Sequence, residues 1–425
     1  MTAETLLIRG GTLIDVTGTR SGDIAVVGGL VADASAAPSS ARVIDASGCV
    51  VSTGLVDLHA HLGEPGDEAV ETMTSGGRAA VLGGFTTVLA MPDTMPTVDT
   101  AAVVEHIRSL AQSALCHVEV AGCITVGRAG AHLAPLGELA NAGVRFITDC
   151  GSGVQNPLLM RRALEYSRPF ELTIAQPADC IELSADGQMH EGEWSSRLGL
   201  PGAPAEAEEI MVMRDIALAR LTGARLHFQT LSTAGSFAIV AAAQRSGVPV
   251  TSEVASHHLR LADADLASYD TRRKVEPPLR DRSDVQAAVE AVADTRVDCI
   301  VSDHTPQSTD RKERPFDHAE AGSVGLETAL AVALTQNISI EHVLRAMSWR
   351  PAELLGLGTP EQRTITPGAR ADITIINPQE SFTVSTSSSA TTGTNSAFEG
   401  EELRGRVRAT IVDGHVVVDG YEVTR

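Results

Sequence analysis

Nothing in this sequence ties it to a membrane, an oxidising compartment or a nucleic acid. No apolar run approaches the length needed to cross a bilayer, although 43% of the 425 residues are hydrophobic and mean hydropathy is +0.05. Apolar material spread that evenly builds a sizeable core instead. Met1-Thr2-Ala3-Glu4-Thr5 lacks the basic segment and apolar block of an export signal, which points to the cytoplasm. Cationic residues are scarce: 33 Lys+Arg stand against 54 Asp+Glu, for a formal net charge of −21. Such a surface keeps a protein soluble but makes nucleic acid and anionic membrane poor partners. Any anion site must therefore be made locally, from arginine or backbone N–H groups. The cysteines, Cys49, Cys116, Cys123, Cys150, Cys180 and Cys299, are scattered through apolar stretches, unlike a disulfide framework or a paired zinc ribbon. Five read as buried thiols, and Cys150 belongs to a different pattern. Also missing are a Gly-x-Ser-x-Gly elbow, a phosphate loop and a dinucleotide fingerprint after a strand; Gly151-Ser152-Gly153 is loop sequence.

What is present is a pair of apolar strands with polar ends. Gly54-Leu55-Val56-Asp57-Leu58-His59-Ala60-His61 closes on two histidines at i and i+2, which share one face of a strand. Two imidazoles aimed the same way are a ready pair of metal ligands. Far downstream, Val297-Asp298-Cys299-Ile300-Val301-Ser302-Asp303-His304 ends in an acid that can be metal ligand and proton acceptor together.

The pattern around these strands divides the chain. Residues 6–14, 23–34 and 43–51 read as short strands broken by Gly10-Gly11 and Gly28-Gly29, and 371–377 and 407–419 repeat the signature, with Asp413-Gly414 as a hairpin turn. The two ends are expected to join in one small β domain. Residues 385–394, rich in Ser and Thr, read as a mobile surface loop. From Gly54 to about Gly356, apolar strands alternate with helical stretches. Strand candidates after the first are 85–91, 118–125, 144–150, 172–176, 225–231, 248–254 and 299–303; helices are expected over 70–82, 100–114, 157–166, 205–221, 234–246, 283–293 and 326–334, with 340–354 beyond them. Eight such units make an α/β fold of the (β/α)8 TIM-barrel type, with the site at the C-terminal ends of the strands. The expected organisation is a TIM barrel over residues 54–363 and a composite β-sandwich from residues 1–53 and 364–425.

With Asp57-Leu58-His59-Ala60-His61-Leu62-Gly63-Glu64-Pro65-Gly66, Met91-Pro92-Asp93-Thr94, Met160-Arg161-Arg162-Ala163-Leu164-Glu165-Tyr166, Pro277-Pro278-Leu279-Arg280 and Asp303-His304-Thr305-Pro306, essentially the whole chain resembles the amidohydrolase superfamily, and within it the single-domain bacterial dihydroorotases. That resemblance implies two zinc ions held by the histidine pair, a bridging Asp after strand four, a His after strand five, a His after strand six and the Asp after strand eight. It also implies a water activated between the zincs, with the last Asp as proton shuttle. His59, His61 and Asp303 match this pattern.

The other positions depart from it. Cys150 stands where the bridging Asp belongs, and Asp149, one residue early, faces the opposite side of a regular strand. Pro177 replaces the strand-five His and Thr230 the strand-six His, which removes the second metal. A mononuclear site of His59, His61, Cys150 and Asp303 remains open, because zinc accepts nitrogen, sulfur and oxygen; at most one ion is expected. His227 reads as a structural histidine, and His257 and His258 as organisers of the strand-seven loop. No lysine stands at a strand end, so no carboxylated lysine is expected.

The substrate positions change as well. The resemblance implies a carboxylate gripped by an Arg, an Asn and a His, where this chain has Gly63, Asp93 and Gln307; Glu276 replaces another Asn. Each lost charge-assisted bond is worth roughly 1.5–3 kcal/mol, so dihydroorotate is expected to be a poor substrate. Arg280 reads as a structural salt-bridge partner. An ordinary dihydroorotase with shifted motifs is opposed by the close match around each replaced residue, and two further readings follow. One is a non-catalytic, dihydroorotase-like partner of aspartate transcarbamoylase. The other is a mononuclear hydrolase of a different small cyclic amide, with Asp303 catalytic. Homo-oligomerisation is expected by analogy with the architecture.

Overall fold

The structure, a computed structural model, describes residues 4–358 and 363–424. The Met1–Ala3 part of the stretch read for an export signal lies outside them. No helix among the described residues is long and apolar enough to cross a membrane.

The middle of the chain is α/β with parallel strands. Leu55–Ala60, Phe85–Ala90 and His117–Val120 form one parallel sheet. Phe146–Thr148, Thr173–Pro177, Arg225–Gln229, Val250–Ala255 and Cys299–Val301 form a second. All eight expected strands are present, most a residue or two shorter than their apolar runs because the last residues leave the ladder to build loops. Single bridges pair Gly122 with Ile147 and Ala60 with His304. Leu55–Ala60 and Phe85–Ala90 are buried along their whole length, as parallel strands covered on both faces must be.

The helices start where side chains can satisfy their first N–H groups. Thr72 and Ser75 close a capping box on Met73–Leu82, Asn156 caps Pro157–Ser167, Thr233 caps Ala234–Arg245 and Asp281 caps Arg282–Ala293. Their apolar faces and the strands share one core that includes Phe85, Ile147, Phe228 and Leu330. A separate cluster draws Val56, Leu58 and Leu89 from one sheet and Phe146, Ala255 and Val301 from the other.

Apart from a two-stranded pair, Met189–His190 with Gly202–Ala203, the remaining sheets come from the chain ends. Leu6–Arg9 and Ile24–Val27 lie in a four-stranded sheet. Thr12–Asp15 and Val50–Thr53 join Ile373–Thr383, Glu402–Val412 and His415–Asp419 in a seven-stranded one. Ile8, Val26, Val51, Ile375 and Ile411 form one core between them. The Ser/Thr-rich stretch does not stay on the surface throughout. Thr391 is buried with its hydroxyl on Glu71, and Asn395 just beyond it is buried too. A Thr or Asn is satisfied as well by a buried partner as by water, so composition alone placed this segment outside.

Candidate metal centre

The first strand delivers His59 and His61 to one end of the parallel sheets, and the residues after Phe146–Thr148 bring Cys150 to meet them. The ligand atoms of the three lie within 4.8 Å of one another. Cys150 Sγ is 3.2 Å from His59 Nε2 and 3.9 Å from His61 Nε2. Asp303 approaches through His59, with Oδ1 3.7 Å from Nε2. Asp303 holds a left-handed backbone at φ +49, and so does Thr230 at +44, a conformation costly for a β-branched residue.

Each histidine is oriented from behind by a carboxylate. His59 Nδ1 is 2.7 Å from Glu253 Oε1, and His61 Nδ1 is 2.7 Å from Asp93 Oδ2. Donating that ring N–H to a carboxylate turns both Nε2 atoms toward the sulfur and fixes the tautomer a metal ligand needs. Glu253 is fully buried and reaches on through Oε2 to His227 Nε2 at 2.9 Å, while His227 Nδ1 lies 2.8 Å from Thr251 Oγ1. His227, read as structural, is therefore linked to the cluster through an acid that sequence reasoning missed. The available signal was a lone Glu within the Val250–Ala255 stretch, four residues before a histidine pair.

The charges follow from this contact set. Burial pulls His59 down, but the Cys150 sulfur and Glu253 outweigh it and hold the imidazole well above its ordinary value. His61 is raised to about 10 against burial by Asp93 and Cys150. Burial alone would raise Cys150; the two imidazoles reverse that and hold its thiol below the usual range. Glu253 is lowered to about 2 despite burial by His227 and His59. Burial raises Asp303, with His59 and His61 opposing. Two imidazoles, a thiol and a nearby carboxylate form a donor set that suits a soft-to-borderline divalent ion, whose binding would displace the protons.

Asp149 is not among these groups: its carboxylate accepts from the backbone N–H of Ile124 at 2.9 Å and of Thr125 at 3.0 Å. Pro177 and Thr230 line a cavity of about 400 Å³ with His59, His61, Cys150, Asp303 and Glu276. A larger cavity, about 610 Å³, lies apart between the 324–331 and 381–391 segments. Glu276 faces the smaller cavity, its carboxyl raised by burial and then by Asp179 and Asp303. Gly63 turns at φ +65, where a Cβ would stand 2.8 Å from the Glu71 carbonyl, so this loop leaves no room for an arginine stem. Asp93 is engaged by His61 rather than free. Gln307 donates to the Ala321 carbonyl at 3.0 Å and accepts from Arg311 at 3.4 Å. Arg280 is buried and occupied by Ser232 Oγ at 2.9 Å, the Ala203 carbonyl at 3.2 Å and Glu208 at 3.7 Å. All six cysteines are free; Cys180, expected to be buried, is half-exposed because it sits on the loop after the fifth parallel strand.

Residues 48–236 match the "Dihydro-orotase-like" family model. A dihydroorotase of Pelotomaculum thermopropionicum is 43% identical over 97% of this chain and 98% of its own. A dihydroorotase of Anaeromyxobacter dehalogenans is 42% identical over 98% of each chain. Among solved structures, the L-hydantoinase (dihydropyrimidinase) from Arthrobacter aurescens superposes with a TM-score of 0.86 at 23% identity, covering 100% of this chain and 98% of that one. The dihydropyrimidinase from Brevibacillus agri gives 0.85 at 22%, covering 99% and 96%. Those structures share the fold; the sequence relatives, alike over nearly their whole length, show that this chain belongs to the dihydroorotase family.

Proposed function

We propose that this chain is a divergent dihydroorotase-family hydrolase that carries one zinc ion on His59, His61, Cys150 and Asp303 and cleaves a cyclic amide, or a related C–N bond, in a substrate without a carboxylate. The observation that carries the reading is the pair of carboxylate clamps: Glu253 and Asp93 each hold an Nδ1 at 2.7 Å and point both Nε2 atoms at one sulfur. With Asp303 Oδ1 beside them as an oxygen ligand, the donors are two nitrogens, a sulfur and an oxygen, and a zinc that expands to five-coordinate would still admit a water. Bound there, zinc would supply Lewis acidity and water activation near neutral pH.

The chain's own groups do the rest. Asp303, buried beside His59, is placed to take a proton and return it to the leaving nitrogen. Glu276 offers an acceptor to the cavity, and the positions that grip a carboxylate in the family are empty of cations or engaged elsewhere. The scaffold supports this reading. We take the Gly122–Ile147 and Ala60–His304 bridges as closure of a (β/α)8 barrel, and the two terminal sheets with their shared core as a β-sandwich.

The test is metal analysis of protein purified without chelator. One zinc per chain, lost in Cys150→Ser, is expected; no uptake from excess zinc would defeat the reading. A second reading, a non-catalytic subunit assembled with aspartate transcarbamoylase, is favoured by Pro177 and Thr230 at two ligand positions of the family. Metal-free protein that co-purifies with a transcarbamoylase would establish it in place of the first.

A further inference from the structure

Behind the metal cluster, two buried side chains face each other without completing a hydrogen bond. Asp303 Oδ1 lies 3.7 Å from His59 Nε2, and Asp303 Oδ2 lies 3.7 Å from His257 Nε2. His257 is 2% exposed, and its Nε2 has no hydrogen-bond partner among the described residues. An imidazole nitrogen left unpaired in the interior is costly, and such groups in a folded protein call for an explanation. The polar group that this nitrogen faces is the Asp303 carboxylate.

The surroundings of His257 explain why it points there. It lies in the turn Ser256–Leu259 directly after the strand Val250–Ala255. Its ring packs on that of His258, centroids 4.5 Å apart, and His258 Nε2 is in turn 3.3 Å from the Pro278 carbonyl. The imidazole is thus backed from one side and left open toward Asp303. Glu253, four residues earlier on the same segment, already orients His59. One stretch of chain therefore stands behind both the first histidine and the last aspartate, and Asp93 stands behind the second histidine.

We propose that His257 is the positioning residue of Asp303, donating from Nε2 to Oδ2 so that Oδ1 is held beside His59 as the oxygen ligand of the metal centre. The role rests on the zinc reading above and extends it: each histidine of the centre has a partner outside it, and His257 supplies the one for the carboxylate. Partners of this kind typically change metal affinity by 10–100-fold when removed.

The experiment is a double-mutant cycle read as zinc affinity, by chelator competition, with the full chain. His257→Leu is expected to weaken zinc binding about 10–100-fold, and His257→Gln, which keeps an N–H donor near the Nε2 position, to restore most of it. In the Asp303→Ala background, His257→Leu is expected to have no further effect, because the group it positions is gone. Thermal unfolding of the metal-free variants checks that the fold is kept. If His257→Leu does not fold, His257→Asn, whose shorter amide does not reach Asp303, takes its place in the cycle. Undiminished zinc affinity in His257→Leu, or losses from the two substitutions that simply multiply, would overturn the positioning role while leaving the zinc centre standing. A wild-type chain that takes up no zinc would remove both.

Discussion

Glu253 holds His59 and His227 at once, with Oε1 2.7 Å from the first ring and Oε2 2.9 Å from the second. Replacing it with Gln keeps the shape but halves the acceptors, since one amide group must face an imidazole as a donor. His59 then loses the partner that fixes its tautomer. Glu253→Gln is expected to lower zinc affinity about 10–100-fold while leaving the elution volume unchanged. Chelator competition measures it, and unaltered affinity would show that the clamp has no bearing on metal binding.

Cys150 and Cys180 should part company in a labelling experiment. Cys150 is 4% exposed and sits at the cavity floor against two imidazoles, whereas Cys180 is half-exposed on a loop. In metal-free protein both are expected to be alkylated, Cys150 more slowly for want of access. With zinc present, Cys150 is expected to be protected while Cys180 labels at the same rate. Peptide mass mapping separates the two. Zinc that leaves Cys150 labelling unchanged would mean that the sulfur is not a ligand.

How much of this was readable beforehand depends on how local each signal was. His59, His61 and Asp303 sit at the ends of unmistakable apolar strands, and the family resemblance, with register against Asp149, singled out Cys150, although the strand itself ends at Thr148. The eight parallel strands followed from the same alternation. Partners across the fold were not readable. Asp93 read as facing a substrate, because a motif does not say that the nearest imidazole lies thirty-two residues away in sequence. Glu253 belongs to no motif of the sequence, and its two histidines come from other strands.

Asn395 makes the same point from the other end of the chain. Its Nδ2 donates to the Thr305 carbonyl at 2.9 Å and the Gly322 carbonyl at 3.0 Å, and its Oδ1 accepts from the Gln307 N–H at 2.9 Å. It cross-braces the loop that carries Asp303, and it is 1% exposed. Asn395→Ala takes the partner from three backbone groups, one of them buried and two part-buried. At about 1–3 kcal/mol for each unsatisfied group, less what entering water recovers, a loss of about 3 kcal/mol is expected. Urea unfolding of the metal-free protein reads it directly; a loss below about 1 kcal/mol would mean that the brace is replaced by solvent.

Asp215 gives the protein a pH dependence whose sign can be worked out. It is completely buried on the helix Glu206–Thr222, and burial raises its carboxyl from 3.8 to about 6 against the pull of Arg214, which lies 2.8 Å away. The folded state therefore binds this proton more tightly than the unfolded state does. Stability from this group is fullest below the unfolded value and falls as pH rises through the folded one, a window from about pH 4 to about pH 6. Two pKa units correspond to about 3 kcal/mol. Asp215→Asn carries no such titration, so the stability difference between variant and wild type should shift by about 3 kcal/mol in the variant's favour between pH 4 and pH 7. Arg214 keeps its bonds to the Gln155 and Val154 carbonyls, at 2.6 and 2.7 Å, in both proteins, so its loss of an ionic partner adds a nearly constant offset. Urea midpoints at several pH values measure the slope, and a difference that stays flat would show that Asp215 is ionised in the folded protein throughout.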